Sequence, residues 1–329
     1  MSTTNLPHYN ELFVQPWQSR GYRVIYQPSC LINAYNGACW PIQYPEVKSW
    51  DNTVVIMHCQ DFVSICNNRC PELEAIEQHF GTHADQVVVV HWNLNLHKVY
   101  SGPLKLIYFP THSYELLVNL AKSQSQWLKN FYKPRAHVWQ CLNGVPRRHR
   151  RLVVNYLRGK FNNGILSFAE EIPLPTWSYN NYFGCENEKN WQKLQYVYTD
   201  CNVNIVTETQ YAETPGIISE KTLMAFLAQQ VPILIGYQGI VDDCESLGFD
   251  LFRDVVDTSY DYSTDELRWQ QAIEFNQPLL NNGIDREVLK DRLQNNLQIA
   301  LNFPSTLVQR YYQQVNRTIQ ENFLNLSKD

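Results

Sequence analysis

The first third of the chain alternates short apolar runs with a segment of helical character. Two β-branched runs of strand length, TVVIMH at 53–58 and QVVVVHW at 86–92, flank the segment PELEAIEQHFG at 71–81. That segment begins with proline and ends with glycine, as helices often do. A strand, a helix and another strand form a βαβ unit with buried parallel strands. A third strand is predicted at 104–110, and a helix at 113–132 closes this domain.

The same kind of pattern starts again near residue 135. A strand is predicted at 137–144, and a turn leads from it into a helix at 146–161 that has one apolar face. The remaining predicted elements of this half are strands at 202–208, 231–236 and 254–257 and a helix at 219–229. The sequence therefore predicts an α/β protein with two Rossmann-like domains, at 1–134 and 135–300.

The end of the chain has a pattern of its own. Apolar residues recur every four positions, at 307, 311, 315, 319 and 323. This spacing predicts a long amphipathic helix within 301–329, which we expect to pack across both domains. The two domains are expected to face a central cleft at the carboxyl ends of their sheets, where such folds bind ligands.

Composition and charge narrow the function classes. The chain has 329 residues, 44% of them hydrophobic and 18% charged, which is typical of a well-packed globular protein of two domains. A net charge of −5 argues against a generally basic surface for nucleic acid and leaves room for a local basic patch. No apolar run approaches the roughly 18 residues of a membrane span. The first residues lack the features of a signal peptide, so we predict a cytoplasmic protein.

The cysteines indicate reduced thiols. There are nine of them, an odd number, scattered from Cys30 to Cys244 in a chain too large to need a disulfide framework. Cys66 and Cys70 lie four residues apart, but no second close Cys/His pair completes a tetrahedral zinc site. We therefore predict no metal and no cofactor.

The first candidate binding segment is CLNGVPRRHRRL, at 141–152. Asn143 and Gly144 form a turn into the following helix, whose free N–H groups and positive dipole end point at the predicted cleft. Five basic residues then follow in a row: Arg147, Arg148, His149, Arg150 and Arg151. A diphosphate is the expected ligand, and Arg150 is the strongest candidate because it lies near the apolar face of the helix. The alternative is that these arginines face solvent, as charge runs usually do.

The second candidate segment is GIISEKTLMAFLAQQVPILIG, at 216–236. Ser219 is suited to cap the helix, which places Glu220 and Lys221 in its first turn. Glu220 is suited to accept hydrogen bonds from ribose hydroxyls, and Lys221 to neutralise a phosphate. The alternative is a capping acid followed by a surface lysine. Glu208, at the end of the preceding strand, favours the functional interpretation, because strand ends meet at the cleft.

The run at 202–236 resembles the donor-binding motif of the α1,3-fucosyltransferases and related GT-B glycosyltransferases. That motif is a strand ending in an acid, a loop, Thr-Glu-Lys or a close variant, an apolar helix, and a Val-Pro strand that ends in Gly. The matching residues are Glu208, then Ser219, Glu220 and Lys221, then Val231, Pro232 and Gly236. Upstream, Leu142 and Asn143 are similar to the family's Ser-Asn turn, and Arg150 to its arginine. The chain departs from the motif in a longer loop after Glu208 and in Thr209, where the family often has Asn.

This resemblance implies a function. In the family the Glu and Lys hold the ribose and diphosphate and the arginine binds the phosphates, roles that fall here on Glu220, Lys221 and Arg150. The chain contains no Asp-x-Asp triplet. We therefore expect a metal-independent glycosyltransferase that moves a sugar from a nucleotide-sugar donor to a hydroxyl acceptor. The segment 239–261 is similar to glycosyltransferase-like proteins of phages and large viruses. If the protein is viral, it acts in the host cytoplasm, and a hydroxylated DNA base joins glycans as a candidate acceptor.

An inverting transfer also needs a general base, which we expect in the first domain. Asp61, three residues after His58, lies just beyond one predicted strand, and His91 lies at the carboxyl end of another; Asp61 is the preferred candidate. The alternative for Asp61 is that it caps the next turn. Trp92 and Tyr114 lie near these loops and are candidates for stacking on a sugar, although large aromatic residues are more often core.

Two other classes of protein remain open. One is a nucleotide-binding module that has lost catalysis. The other is a Rossmann-type oxidoreductase, which is disfavoured because no Gly-x-Gly-x-x-Gly sequence follows any predicted strand.

Overall fold

The protein is analysed as a computed structural model and divides into two compact units. Unit 1 comprises Met1–Tyr114 and Phe303–Asp329, and unit 2 comprises Glu115–Asn302. The first unit thus ends before the boundary predicted at 134, and the end of the chain groups with unit 1. The structure describes residues 8–28, 42–59, 69–111, 113–114, 117–118, 133–168, 171–172, 197–211 and 216–322.

Unit 1 is built on a parallel sheet. Its strands are β1 (Arg23–Gln27), β2 (Thr53–His58), β3 (Val87–His91) and β4 (Lys105–Tyr108), in the order β1-β2-β3-β4. Every residue of β2 and β3 is buried, as expected for parallel strands covered on both faces. The three strands predicted in this region are confirmed. The sequence missed β1, an edge strand with an exposed first residue and no uninterrupted β-branched run.

The helices of unit 1 pack on this sheet. They are α1 (Tyr9–Gln18), α2 (Pro71–Phe80) and α3 (Leu96–Val99), with a 3-10 helix at Gly81–Gln86. Helix α2 starts at a proline and is followed by Gly81, as predicted, and buries Leu73, Ile76 and Phe80 against the strands. The helix predicted at 113–132 lies mostly outside the described residues.

Unit 2 contains a second parallel sheet. Its strands are β5 (His137–Asn143), β6 (Gly164–Phe168), β7 (Cys201–Thr207) and β8 (Val231–Ile235), in the order β6-β5-β7-β8. The predicted strands at 137–144, 202–208 and 231–236 are confirmed, whereas β6 was missed. The strand predicted at 254–257 is wrong. Those residues form turns in which the N–H groups of Val255 and Val256 both donate to the carbonyl of Phe252, and Val256 is buried without strand pairing.

The order of this sheet creates a switch point. The chain passes from β5 to β6 on one side and then crosses to β7 on the other side of β5. In open parallel sheets, ligands bind outside the carboxyl ends of the two strands between which the order reverses. In unit 2 these ends are Asn143 and Thr207.

Helices surround the second sheet. They are α4 (Arg148–Leu157), α5 (Glu220–Leu227), α6 (Ile240–Ser246), α7 (Asp265–Glu274) and α8 (Gln277–Asn282). A 3-10 helix, Ser259–Tyr262, precedes α7. The helices predicted at 146–161 and 219–229 are confirmed as α4 and α5. Among the helices that the structure describes, none has the length and apolar character needed to cross a membrane.

The last helix that the structure describes is the long α9 (Lys290–Asn322), which starts earlier than predicted. Of the predicted apolar stripe, Leu307, Tyr311, Val315 and Ile319 are buried. The Tyr311 hydroxyl donates to the carbonyl of Phe13 at 3.2 Å, and the two rings lie 5.1 Å apart. The second half of α9 is therefore part of the core of unit 1, while its packing across both domains stays a prediction.

Candidate functional site

The carboxyl ends of three strands of unit 2 are tied together. The hydroxyl of Thr207, which ends β7, donates to Oδ1 of Asn143, which ends β5. Asn143 also donates from Nδ2 to the carbonyl of Ser167 in β6, at 3.4 Å. Asn143 and the following Gly144 are both buried. The predicted turn residues therefore form a fixed edge at the switch point.

Glu208, directly after β7, is a fully buried carboxylate with donors from three residues. Its Oε2 accepts from the N–H of Thr209 at 2.9 Å. Its Oε1 accepts from the N–H of Ser219 at 3.1 Å and from the hydroxyl of Thr222 at 2.6 Å. Glu208 thereby fastens the loop after β7 to the start of α5. The Glu208 side chain is 0% exposed, so its role is to hold this loop in position.

The first turn of α5 is arranged as the sequence predicts. Ser219 is the N-cap residue, and its Oγ accepts from the N–H of Lys221 at 3.3 Å. The Lys221 ammonium lies 2.6 Å from Oε1 of Glu220 and 3.2 Å from the hydroxyl of Thr209. The side chains of Lys221 and Glu220 are 17% and 25% exposed. An acid and a base therefore meet solvent at the start of this helix.

Arg150, in the first turn of α4, is buried beneath the same loop. Its guanidinium donates to the carbonyls of Val145 at 3.2 Å, Thr207 at 3.2 Å and Glu208 at 3.1 Å. The neighbouring His149 donates from Nε2 to the carbonyl of Glu208 at 3.0 Å. The starts of α4 and α5 are thus both fastened to the end of β7. In this conformation Arg150 binds main-chain oxygens.

The five consecutive basic residues do not form a single cationic cluster, because successive helical residues point about 100° apart. Burial, followed by the charge of Arg150, lowers the pKa of His149 to about 3, so its imidazole is neutral. Arg151 pairs with Glu171 at 2.9 Å. Arg147 occupies the N-cap position of α4 without a side-chain capping hydrogen bond. With His149 neutral, Arg150 bound to main-chain carbonyls and Arg151 paired, Arg147 and Arg148 are the two arginines of the run that can contact a ligand.

Both of these arginines line a cavity of about 490 Å³. The cavity is lined by Arg147, Arg148, His149, Leu152, Thr209, Gln210, Tyr211, Asp265, Glu266 and Trp269. Thr209 connects it to the α5 start, because its hydroxyl contacts Lys221. Sequence reasoning missed the part contributed by α7. The only local signal was an acidic pair at a helix start with Trp269 one turn later.

Comparisons with known proteins identify no relative of this chain. No protein-family model matches this chain, and no curated protein or solved structure matches it significantly.

Cys66 and Cys70 are the closely spaced cysteines of the sequence. Cys66 lies outside the described residues, and Cys70 is buried at the start of α2. Across the described ranges, no three His, Cys, Asp or Glu side chains are grouped so that they could hold a metal ion.

Unit 1 carries the predicted candidates for a general base. Asp61 lies outside the described residues. His91 ends β3, is 2% exposed and accepts at Nδ1 from the N–H of Asn93 at 3.3 Å. Burial, followed by the charge of His97, lowers the pKa of His91 to about 3. Such a weak base is poorly matched to proton abstraction near neutral pH.

The aromatic candidates of unit 1 are core residues. Trp92 and Tyr114 are 6% and 4% exposed. Tyr114 packs against Phe109, with ring centroids 5.0 Å apart. His58 is also enclosed, since its ring nitrogens lie 2.8 Å from the hydroxyls of Tyr26 and Thr111. These contacts favour the core interpretation over stacking on a sugar.

Proposed function

We propose that the protein is a glycosyltransferase that binds a nucleotide-sugar donor at the switch point of unit 2 without a metal ion. The observation that carries this proposal is the fastening of two helix starts to one strand end. His149 and Arg150 of α4, and Ser219 and Thr222 at the start of α5, all bond to Glu208. A pair of fixed helix N-termini with adjacent cations is suited to a diphosphate.

The donor contacts follow from the exposed groups at these two turns. Lys221, Arg147 and Arg148 supply positive charge, and phosphate oxygens accept charge-assisted hydrogen bonds from them. A phosphate at α5 replaces Glu220 as the partner of the Lys221 ammonium. The released Glu220 carboxylate then accepts from a ribose hydroxyl, as the resemblance to fucosyltransferases implies. Arg150 and Glu208 hold the two turns in place from below.

The transfer step follows from the same charges. As the sugar leaves, negative charge grows on the nucleoside diphosphate, and fixed cations and helix dipoles stabilise it without rearranging. A base in unit 1 takes the proton of the attacking acceptor hydroxyl. We propose Asp61 for this role, because the low pKa of His91 makes it a weak base. The proposal includes the inverting outcome, the GT-B arrangement and an acceptor that is a glycan or a hydroxylated DNA base.

The second candidate function is a nucleotide-binding module without catalysis. The burial and low pKa of His91 favour it, because the one base candidate within the described residues is ill suited to proton transfer. Such a module binds nucleotides at the same site and shows no turnover, which separates it from the enzyme.

A thermal-shift screen of the full chain against UDP, GDP, CMP and dTDP sugars tests the donor site, because a ligand of the native state raises the melting temperature. Lys221→Ala is expected to weaken binding of the stabilising donor about tenfold, the scale of one lost charge-assisted contact. Arg158→Ala is the matched control, since Arg158 lies at the other end of α4 and pairs with Glu171. Equal affinities of Lys221→Ala and the wild type would remove the donor-site assignment.

A further inference from the structure

The cavity beside α4 and α7 has an uneven charge distribution. Arg147 and Arg148 come from the start of α4, and Asp265 and Glu266 from the first turn of α7. All four side chains keep contact with water, since Arg148 and Glu266 are exposed and Arg147 and Asp265 are partly exposed. The cavity is therefore suited to a ligand that offers anionic groups on one part and hydrogen-bond donors on another.

Asp265 and Glu266 form the acidic side of the cavity, and they determine which hydrogen-bonding groups a ligand can place there. The Asp265 carboxylate forms an ion pair with the buried Arg268, and its side chain is 46% exposed. Glu266 is exposed at the next position. Ionised carboxylates only accept hydrogen bonds, so the neighbouring ligand groups must carry N–H or O–H. A carbonyl oxygen of the ligand placed there is repelled, because its partial negative charge faces the negative carboxylates.

The cavity also contains a flat aromatic surface. The Tyr211 ring stacks on the His149 ring, with centroids 4.9 Å apart and planes 8° from parallel. The Tyr211 hydroxyl donates to the carbonyl of Asp265 at 2.5 Å and accepts from the N–H of Trp269 at 3.1 Å. Hydrogen bonds at its tip and a ring on its face hold this surface before any ligand arrives. Because His149 stacks on the Tyr211 ring and the Arg268 guanidinium lies over it, 5.1 Å from its centroid, this ring is already covered. The Trp269 indole, which also lines the cavity, is the ring left for a nucleobase to stack on.

The position of the cavity matches one part of the proposed donor. Thr209 lines the cavity and its hydroxyl lies 3.2 Å from the Lys221 ammonium, so the cavity lies one residue away from the proposed phosphate site. Its volume of about 490 Å³ lies within the range of small-molecule sites. We infer that this cavity is the subsite for the nucleobase of the donor and that it selects bases with an exocyclic amino group. The inference rests on the proposed function.

The selectivity follows from the hydrogen-bonding edges of the bases. Cytosine, adenine and guanine each carry an amino group that donates to a carboxylate such as Glu266. Uracil and thymine carry one N–H between two carbonyls, and these acceptors face the acidic pair. CDP and UDP form a matched pair of probes, since their bases differ at the amino group and its neighbouring nitrogen while the sugar and phosphates are the same.

Titration of the full chain with CDP, UDP and inorganic pyrophosphate tests this subsite. The wild type is expected to bind CDP about tenfold more tightly than UDP, and either nucleotide more tightly than pyrophosphate. Glu266→Gln is expected to abolish the preference for CDP, because an amide both donates and accepts, and to leave pyrophosphate affinity unchanged. Glu287→Gln removes an exposed carboxylate of unit 2 that does not line the cavity, and serves as the control.

The outcomes separate the two proposals. Pyrophosphate binding with no gain from either base, equal affinities for CDP and UDP, or a preference unchanged in Glu266→Gln overturns the base subsite and leaves the phosphate site standing. A wild type that binds none of the three probes overturns the base subsite as stated, and the proposed function falls with it only if GDP and dTDP also fail to bind. Trp269→Leu gives an independent check, since it is expected to weaken CDP and UDP together and to leave pyrophosphate unchanged.

Discussion

At the scale of single residues, Asp261 is a buried acid that makes the stability of unit 2 depend on pH. Its side chain is 0% exposed, and its Oδ2 accepts from the N–H of Val241 at 3.0 Å, near the start of α6. Burial raises the pKa of Asp261 to about 6, against the opposing effect of that hydrogen bond and of Arg268. The folded state therefore holds this proton to a higher pH than the unfolded chain does.

The direction of the pH effect follows from proton counting. Between pH 4 and 6 the folded state binds more protons at Asp261 than the unfolded state, so raising the pH lowers the free energy of unfolding. The shift of about two units corresponds to at most about 3 kcal/mol. Urea unfolding of the wild type and of Asp261→Asn at pH 4.5 and pH 7 measures it. The variant is expected to lose less stability than the wild type over this range, and equal losses would contradict the assignment.

The residues of the candidate site show which local contacts can be predicted from the sequence. Ser219, Glu220 and Lys221 were placed correctly because an N-cap depends on neighbours within one turn. The partners of Arg150 were not predictable, since Thr207 and Glu208 lie more than fifty positions away.

At the scale of elements, the end of β8 must pass close to Glu208. A Cβ atom on Gly236 would lie 2.7 Å from Cδ1 of Ile240 and 3.3 Å from Cβ of Glu208. Gly236, directly after β8, therefore has a packing reason. It lets the end of β8 approach Glu208, whose carboxylate binds the start of α5 and whose main-chain carbonyl binds His149 and Arg150 of α4.

Gly236→Ala tests this close approach. The added methyl group is expected to destabilise the protein by about 1–3 kcal/mol through overpacking, and to lower nucleotide affinity by displacing Glu208. The double variant with Ile240→Val removes the Cδ1 contact and is expected to restore part of the stability. Denaturant unfolding of the three proteins gives the comparison. A single variant as stable as the wild type would show that the space is not needed.

The elements also show which sequence signals are strong. The buried runs of β2, β3 and β8 were predicted because parallel strands covered on both faces are almost continuously apolar. The strand β7 was predicted from its valine and isoleucine residues, although it also contains Asn202 and Asn204. The strands β1 and β6 lie at sheet edges and are only partly buried, so they lack that signal. The segment 254–257 was predicted as a strand because it contains two consecutive β-branched valines, yet both valines lie in turns.

At the scale of the whole molecule, the site depends on the strand order of unit 2. The cavity combines residues near 147–152, 209–211 and 265–269, which come together because β7 lies beside β5. The sequence predicts the elements and an α/β class, but periodicity carries no information about strand order. For the same reason the residues of α7 were missed, while both helix starts were found.

The central claim is that fixed cations and helix starts of unit 2 bind a nucleoside diphosphate without a metal ion. Isothermal titration of UDP, GDP, CDP and dTDP into the full chain, with and without excess EDTA, tests it most directly. The account predicts that at least one of them binds, that EDTA leaves its affinity unchanged, and that Lys221→Ala weakens it about tenfold. Binding that disappears in EDTA, or no binding of any of the four, would contradict the account.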